Sequence, residues 1–192
     1  MGLVSQSDYT QLPPNLPVPT DDGACDHLPG TKLPAITLPS TGGGTVMLAK
    51  REGTTIVYCY PMSGVPGVPL PDGWDQIPGA RGCTPQSCGF RDRDEQFKGL
   101  NVTVYGLSTQ TTDYQKEFAS RLHLPFELLS DVDLRFTTAL RLPTFEVEGK
   151  MLIKRLTLVV CDGAIRKVFY PVFPPDGHAA EVLVWLRGNG KG

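Results

Sequence analysis

Arg81-Gly82-Cys83-Thr84-Pro85-Gln86-Ser87-Cys88-Gly89-Phe90-Arg91-Asp92 is the stretch that decides the reading of this chain. Two thiols stand five residues apart, behind a glycine and at the expected start of a helix. Pro85 suits a first-turn position, where its missing N–H costs little. The first turn of a helix leaves backbone N–H groups unpaired and carries the positive end of the dipole, and both favour a thiolate. Arg81 adds a positive charge just before Cys83. The pattern predicts a helix from about Thr84 to Phe97 with a reactive sulfur at its mouth.

Upstream, Thr55-Ile56-Val57-Tyr58-Cys59-Tyr60 is a β-rich run of the kind buried in a central sheet, and Pro61 ends it. The following stretch, Met62 to Gly82, is dense in Gly and Pro and reads as one long loop; loops of this length are usually functional or disordered. Residues 1–30 form an irregular arm. Short strands are expected at Leu33–Pro39 and Val46–Leu48. Downstream, Asn101–Leu107 reads as a strand, and Thr111–Leu122 as a helix with Tyr114, Phe118 and Leu122 on one face. Ser130–Leu140 reads as a short helix. Arg155–Cys161 and Ala164–Tyr170 form a hairpin about Asp162-Gly163. A last helix spans Gly177–Leu186, and 188–192 should fray. Strands alternate with helices early, and a hairpin and helix close the chain. That order predicts an α/β fold, a central mixed β-sheet flanked by helices on both faces. The body is expected over residues 31–187.

The bulk properties exclude several functions. A chain of 192 residues suits one domain. Its formal net charge of −2 gives no electrostatic footprint for nucleic acid. No apolar run is long enough to cross a membrane. Met1–Pro19 lacks the basic and apolar segments of a secretory signal and is too poor in Arg to look like a transit peptide, which leaves a targeting role of another kind open. Five cysteines, an odd number at irregular spacing, argue against a secreted disulfide framework. A reducing, cytoplasmic setting with one working pair fits better. Zinc needs about four ligands, and none of His27, His123 and His178 lies at ligand spacing from the pair. No metal or cofactor is expected.

In order along the chain, Tyr60-Pro61, Gly82-Cys83-Thr84-x-Gln86-x-Cys88-Gly89-Phe90-Arg91-Asp92, Val104-Tyr105-Gly106-Leu107-Ser108-Thr109 and Leu128-Leu129-Ser130-Asp131 resemble the Q-type peroxiredoxins, also called bacterioferritin comigratory proteins. Lys154-Arg155-Leu156-Thr157-Leu158-Val159-Val160 and the Asp162-Gly163 hairpin continue the match, which runs from about Leu33 to Leu186. The resemblance implies a thioredoxin-like fold and reduction of hydrogen peroxide or organic hydroperoxides. It implies Cys83 as the peroxidatic thiol and Cys88 as the resolving one. Pro61, Arg155 and Gln86 take the positions of the family's active-site Pro, buried Arg and helix-borne Glu or Gln. Thioredoxin or another dithiol protein is the implied reductant, and the chain is expected to be a monomer or weak homodimer.

Two departures stand out. The family's Pro lies shortly before its cysteine, whereas 21 residues separate Pro61 from Cys83 (83 − 61 − 1), so a Pro/Gly-rich loop at about 62–80 is inserted at the rim of the site. The family also carries Thr or Ser where this chain has Ala80, and Pro where it has Arg81. The hydroxyl that meets the peroxide is missing there, and Ser63 and Thr84 are the candidates to replace it.

Ionising a thiol is not enough for this chemistry. A free thiol is only about 3% thiolate at neutral pH, and lowering its pKa to about 6 gains roughly 30-fold in thiolate. Nucleophilicity falls with pKa, however, and loses on the order of 13-fold over the same shift. The net gain of about 2-fold leaves most of the work to donors fixed where charge develops on the leaving oxygen. Arg155 and the N–H groups near Cys83 are the candidates, with Gln86 holding the guanidinium. The sulfenic acid then condenses with a second thiol.

Other residues carry plainer expectations. Cys59 and Cys161 sit in apolar strands as inert core thiols. Cys25 lies exposed in the arm, and His123 and His178 lie on helix surfaces. Trp74 is expected to plug the inserted loop against the body, with the lining of a pocket for a bulky hydroperoxide as the alternative. Two other readings stay open from sequence: a general disulfide oxidoreductase using the same pair, and a redox-inert binding module on the same scaffold.

Overall fold

The computed structural model describes residues 9–189. The centre is β3 (Thr54–Cys59), which is β-branched and aromatic and buried along nearly its whole length. It pairs in parallel with β4 (Val102–Ser108), and β4 in parallel with β5 (Leu128–Ser130). On its other side β3 pairs antiparallel with β8 (Leu156–Cys161), which continues through Asp162-Gly163 into β9 (Ala164–Phe169). The sheet order is β5-β4-β3-β8-β9, a mixed five-stranded sheet.

Side chains alternate along β3, so it feeds two cores. Ile56, Tyr58 and Tyr60 enter one of them. There they meet Phe90 of α1 (Cys83–Arg91), Phe97 of α2 (Asp94–Gly99), Phe118 of α3 (Thr112–Arg121) and Val182 of α5 (His178–Asn189). Val57 and Cys59 enter the other, with Phe136 and Leu140 of α4 (Arg135–Leu140). The rest of that face is closed by Leu28 and Leu33 of the N-terminal segment and by Leu38 of β1 (Thr37–Pro39), which pairs with β2 (Thr45–Met47). Among the described residues, α-helices therefore lie on both faces, four on one and a single short one on the other. Phe90 is fully buried and stacks on Tyr58 at 4.6 Å. Truncating such a side chain to Ala costs about 3–5 kcal/mol.

The parity of β8 sets the site. Leu156, Leu158 and Val160 face the α4 side, while Val159 faces α1 and α5. Thr157 and Arg155 share the parity of Val159. The pairs Tyr58 with Thr157 and Cys59 with Leu156 bring β8 to the C-terminal end of β3, so Arg155 arrives where α1 begins.

Three expectations are corrected. The helix predicted over Thr84–Phe97 is two helices, because Arg93 leaves helical geometry at φ −113°, ψ 9°. Ser130 ends β5 rather than opening a helix; the Asp131 carboxylate instead accepts from the N–H groups of Phe136 and Thr137 at the start of α4. A hairpin of β6 (Thr144–Val147) and β7 (Lys150–Ile153) is absent from the sequence reading. Its signal is Glu148-Gly149, both at positive φ, as a tight hairpin turn requires. At the chain's end, α5 continues through Gly188 and Asn189, and 190–192 lie outside the described residues, as does the start of the arm, 1–8. Among the described residues no helix is long and apolar enough to cross a membrane.

Candidate active site

Helix α1 begins at Cys83 because Gly82 turns the chain there, at φ +112° and ψ 20°. A Cβ at this glycine would stand 2.4 Å from Pro175 and 2.9 Å from Leu12, so close approach as well as the positive φ demands glycine. The Gln86 N–H donates to the Gly82 carbonyl at 3.0 Å, closing the first helical turn. No side chain caps this end, and the Cys83 sulfur sits over it, 4% exposed.

Arg155 is buried directly beside that sulfur. Its Nη2 donates to Cys83 Sγ at 3.2 Å and to the Ala80 carbonyl at 2.9 Å. Its Nε donates to the Gly79 carbonyl at 3.1 Å, and its Nη1 to Gln86 Oε1. A buried guanidinium is costly unless its donors are met, and here two carbonyls from the end of the inserted loop and the Gln86 amide meet them. The planar fork is thereby held with one N–H aimed at the sulfur, an arrangement that lysine's single point charge does not reproduce. A negative charge on Sγ, or on an oxygen beside it, faces a fixed cation and the positive end of α1.

Cys88 lies on the same helix, half-buried, and both thiols are free. Five helical residues separate Cα atoms by about 8.7 Å, beyond the reach of about 7 Å that a disulfide spans. Burial raises the Cys88 thiol above its ordinary value, and Arg91 only partly offsets this. Below Cys88, Ser87 Oγ bonds the Tyr58 hydroxyl at 3.0 Å, and Gly89 lets the Asp176 carbonyl approach within 3.2 Å of where its Cβ would be.

Cys83, Gln86 and Arg155, three of the residues singled out in the sequence, meet at one place, whereas the supporting hydroxyl is left open by the sequence. Thr84 lines the cavity in front of Cys83. Ser63 is turned elsewhere: its hydroxyl donates to Gln110 Oε1 at 3.1 Å. Ala80 is buried, and its contribution is the carbonyl that Arg155 holds. Pro61 is buried at the end of β3, and the next residue, Met62, lines the cavity. Trp74 is the expected plug, 2% exposed and packed against Phe145.

Two minor expectations fail. His178 is not a surface residue: it is 1% exposed, with Nε2 bonded to Thr157 Oγ1 at 2.8 Å and Nδ1 to Glu181 at 3.0 Å. Its position at the start of a helix hides this, because the Thr157 that fixes it lies on the neighbouring strand. Cys25 is not exposed: it packs against Leu28 and Cys59 in the α4-side core, and burial pushes its thiol up to about 12. Burial likewise raises the Cys59 thiol well above its ordinary value. Burial thus disfavours the thiolate form at both positions.

Residues 28–183 match the redoxin family. A chloroplastic peroxiredoxin Q of Suaeda salsa is 30% identical over 159 residues, covering 82% of this chain and 67% of the relative. The putative peroxiredoxin bcp of Coxiella burnetii is also 30% identical, over 80% of this chain and 95% of its own length. The chain belongs to the redoxin family, as a Q-type peroxiredoxin. Among solved structures, the peroxidoxin BcpB of Mycobacterium tuberculosis superposes on this peroxiredoxin with a TM-score of 0.69 at 26% identity, covering 85% of this chain and 99% of the other. The fold is thus the thioredoxin-like α/β arrangement. A Xylella fastidiosa PrxQ shares it, with a TM-score of 0.69 at 22% identity, covering 86% of this chain and 99% of the other. Q-type peroxiredoxins are thiol-dependent peroxidases.

Proposed function

We propose that Cys83 is the peroxidatic thiol of this peroxidase and that Cys88 resolves it. The carrying observation is the 3.2 Å hydrogen bond from Arg155 to Cys83 Sγ at the start of α1. The Cys83 thiolate attacks one oxygen of the peroxide, the O–O bond breaks, and the electron pair leaves on the distal oxygen as hydroxide or alkoxide, which takes up a proton. Arg155 stabilises that developing charge, Gln86 orients Arg155, and the Thr84 hydroxyl positions the peroxide in place of the side chain absent at Ala80. Pro61 ends β3 so that Met62 reaches the cavity wall. Ser63 is left out of the chemistry by its bond to Gln110.

The product is a Cys83 sulfenic acid. Cys88 sulfur then displaces its hydroxyl as water, forming the Cys83–Cys88 disulfide. That step needs α1 to unwind between the two residues, because the helical separation is too long. Unwinding also removes Cys88 from the apolar surroundings that raise its thiol, so the resolving sulfur becomes a better nucleophile as it is released. Gly89, which costs about 1 kcal/mol of helix stability relative to Ala, lowers the work of opening. A dithiol protein of the thioredoxin type then reduces the disulfide. We place it in a reducing compartment such as the cytoplasm, because five cysteines at irregular spacing do not make a secreted disulfide framework, and we take the working unit to be a monomer or weak homodimer.

Stopped-flow reduction of hydrogen peroxide tests the assignment. Cys83→Ser should be inactive. Cys88→Ser should complete one oxidation and stall until a small thiol is added. Multiple turnover by Cys83→Ser with a dithiol donor would overturn the assignment, and so would equal far-UV helix content in the reduced and disulfide forms.

A further inference from the structure

The space in front of Cys83 is a cavity of about 10 Å³. A single water molecule requires about 10–15 Å³ on this measure. Two segments distant in sequence close it. Tyr9 comes from the N-terminal arm and Leu70 and Trp74 from the inserted loop; all three line the cavity together with Arg81. The Tyr9 hydroxyl donates to the Val68 carbonyl at 2.7 Å, tying arm to loop. The Arg81 guanidinium lies over the Tyr9 ring at 5.3 Å and pairs with Asp75 at 3.0 Å. At Gly64 the fit is so close that a Cβ would stand 3.0 Å from the Tyr9 ring and 3.2 Å from Leu70. Tyr9 is only 7% exposed. Larger cavities exist, but Met62 stands between Cys83 and the apolar one of about 390 Å³ near Met151.

We infer that this roof makes the enzyme selective for hydrogen peroxide, and that Tyr9 and the inserted loop are its specificity determinants. The inference rests on Cys83 being the peroxidatic thiol. Hydrogen peroxide adds one oxygen to the size of water and enters with a small displacement of the walls. A hydroperoxide with a branched or aromatic group requires the Tyr9 ring or Trp74 to leave the cavity, with loss of the Val68 hydrogen bond and the Arg81 stacking. A shape filter of this kind discriminates by exclusion in the transition state, so it acts on kcat/KM for the bulky substrate.

The test is kcat/KM for hydrogen peroxide and for cumene hydroperoxide, with the same dithiol donor, in wild type, Tyr9→Ala and Tyr9→Phe. Wild type should favour hydrogen peroxide by about 100-fold or more, and Tyr9→Ala should shrink that ratio at least about tenfold by opening the roof. Tyr9→Phe keeps the ring and should hold the ratio within about threefold of wild type. Wild type that uses both peroxides equally, or a ratio unchanged in Tyr9→Ala, overturns the inference while leaving the peroxidase assignment intact. Absence of hydrogen peroxide turnover in wild type overturns both.

Discussion

The floor and the roof of the Cys83 cavity are built in different ways. The floor is α1 and Arg155, joined to the sheet: buried guanidinium donors go to Gly79, Ala80, Gln86 and the sulfur itself, and Phe90 and Tyr58 stack beneath. The roof is an arm laid on a loop: one phenol hydrogen bond and the Arg81 stack join the two, and Arg81 pairs with Asp75, while the loop itself is anchored to the body by buried Trp74 and by Ser63 and Gly64, which bond Gln110, Tyr114 and Arg121. Removing one partner of a buried guanidinium costs several kcal/mol, whereas a partly exposed ion pair contributes at most about 1 kcal/mol. On the proposed reading the floor carries the chemistry, and the contact between arm and loop sets which peroxide can reach it. Peroxide chemistry requires this asymmetry, because donors must be fixed before charge develops, but the entrance has to yield.

The comparison can be broken most forcefully at Arg155. Arg155→Lys keeps the charge and loses the fork, and kcat/KM for hydrogen peroxide is expected to fall by about 10²–10³, equivalent to roughly 3–4 kcal/mol of transition-state stabilisation. Circular dichroism should show the fold retained; a variant of wild-type rate would remove Arg155 from the mechanism. Next in size is Gly82→Ala, which forces a Cβ against Pro175 and Leu12 at positive φ. Urea unfolding should register a loss of about 2–3 kcal/mol.

A smaller effect separates floor from roof by pH. Burial lowers the His178 pKa from its ordinary 6.5, with Glu181 partly opposing. The native state keeps this ring neutral while the unfolded chain binds a proton, so stability is full above pH 6.5 and is lost as pH falls through that value towards the native one. The slope should approach at most about 1.4 kcal/mol per pH unit. Glu181, lowered from 4.5 mainly by its bond to His178, loses its contribution only in a more acidic window. Urea titrations between about pH 7.5 and 5 on wild type and His178→Gln should differ in slope, and equal slopes would count against the buried neutral ring. The smallest effect belongs to the roof: Arg81→Met should change unfolding free energy by less than about 1 kcal/mol, since it removes one partly exposed ion pair and one stacking contact. A larger loss would mean that the roof is as firmly built as the floor.

Much of the floor is legible in the residue order. Cys83 at a helix start follows from Gly82, Pro85 and the local pattern, and Thr54–Cys59 as a central strand follows from its β-branched and aromatic run. Pairing Arg155 with Cys83 needs the family resemblance, since a lone Arg before an apolar strand reads as a surface residue. The break at Arg93 carries no Gly or Pro to announce it, and the burial of Cys25 is not legible, because it depends on partners far away in sequence, such as Cys59 and Ile165. His178 escapes a local reading for the same reason: its place in a helix is short-range information, but Thr157 on β8 decides that the helix buries it.

The chain's residue order by itself specified a thiol pair on a helix, a mixed α/β body and a long Pro/Gly-rich loop, because periodicity, turn residues and thiol spacing are short-range properties. Tertiary structure alone decided that Ser63 turns to Gln110 while Thr84 lines the cavity, and that residue 9 meets residues 64–81 above Cys83. Those outcomes come from packing between segments that share no local pattern, where shape and unpaired donors, rather than propensity, determine what touches what.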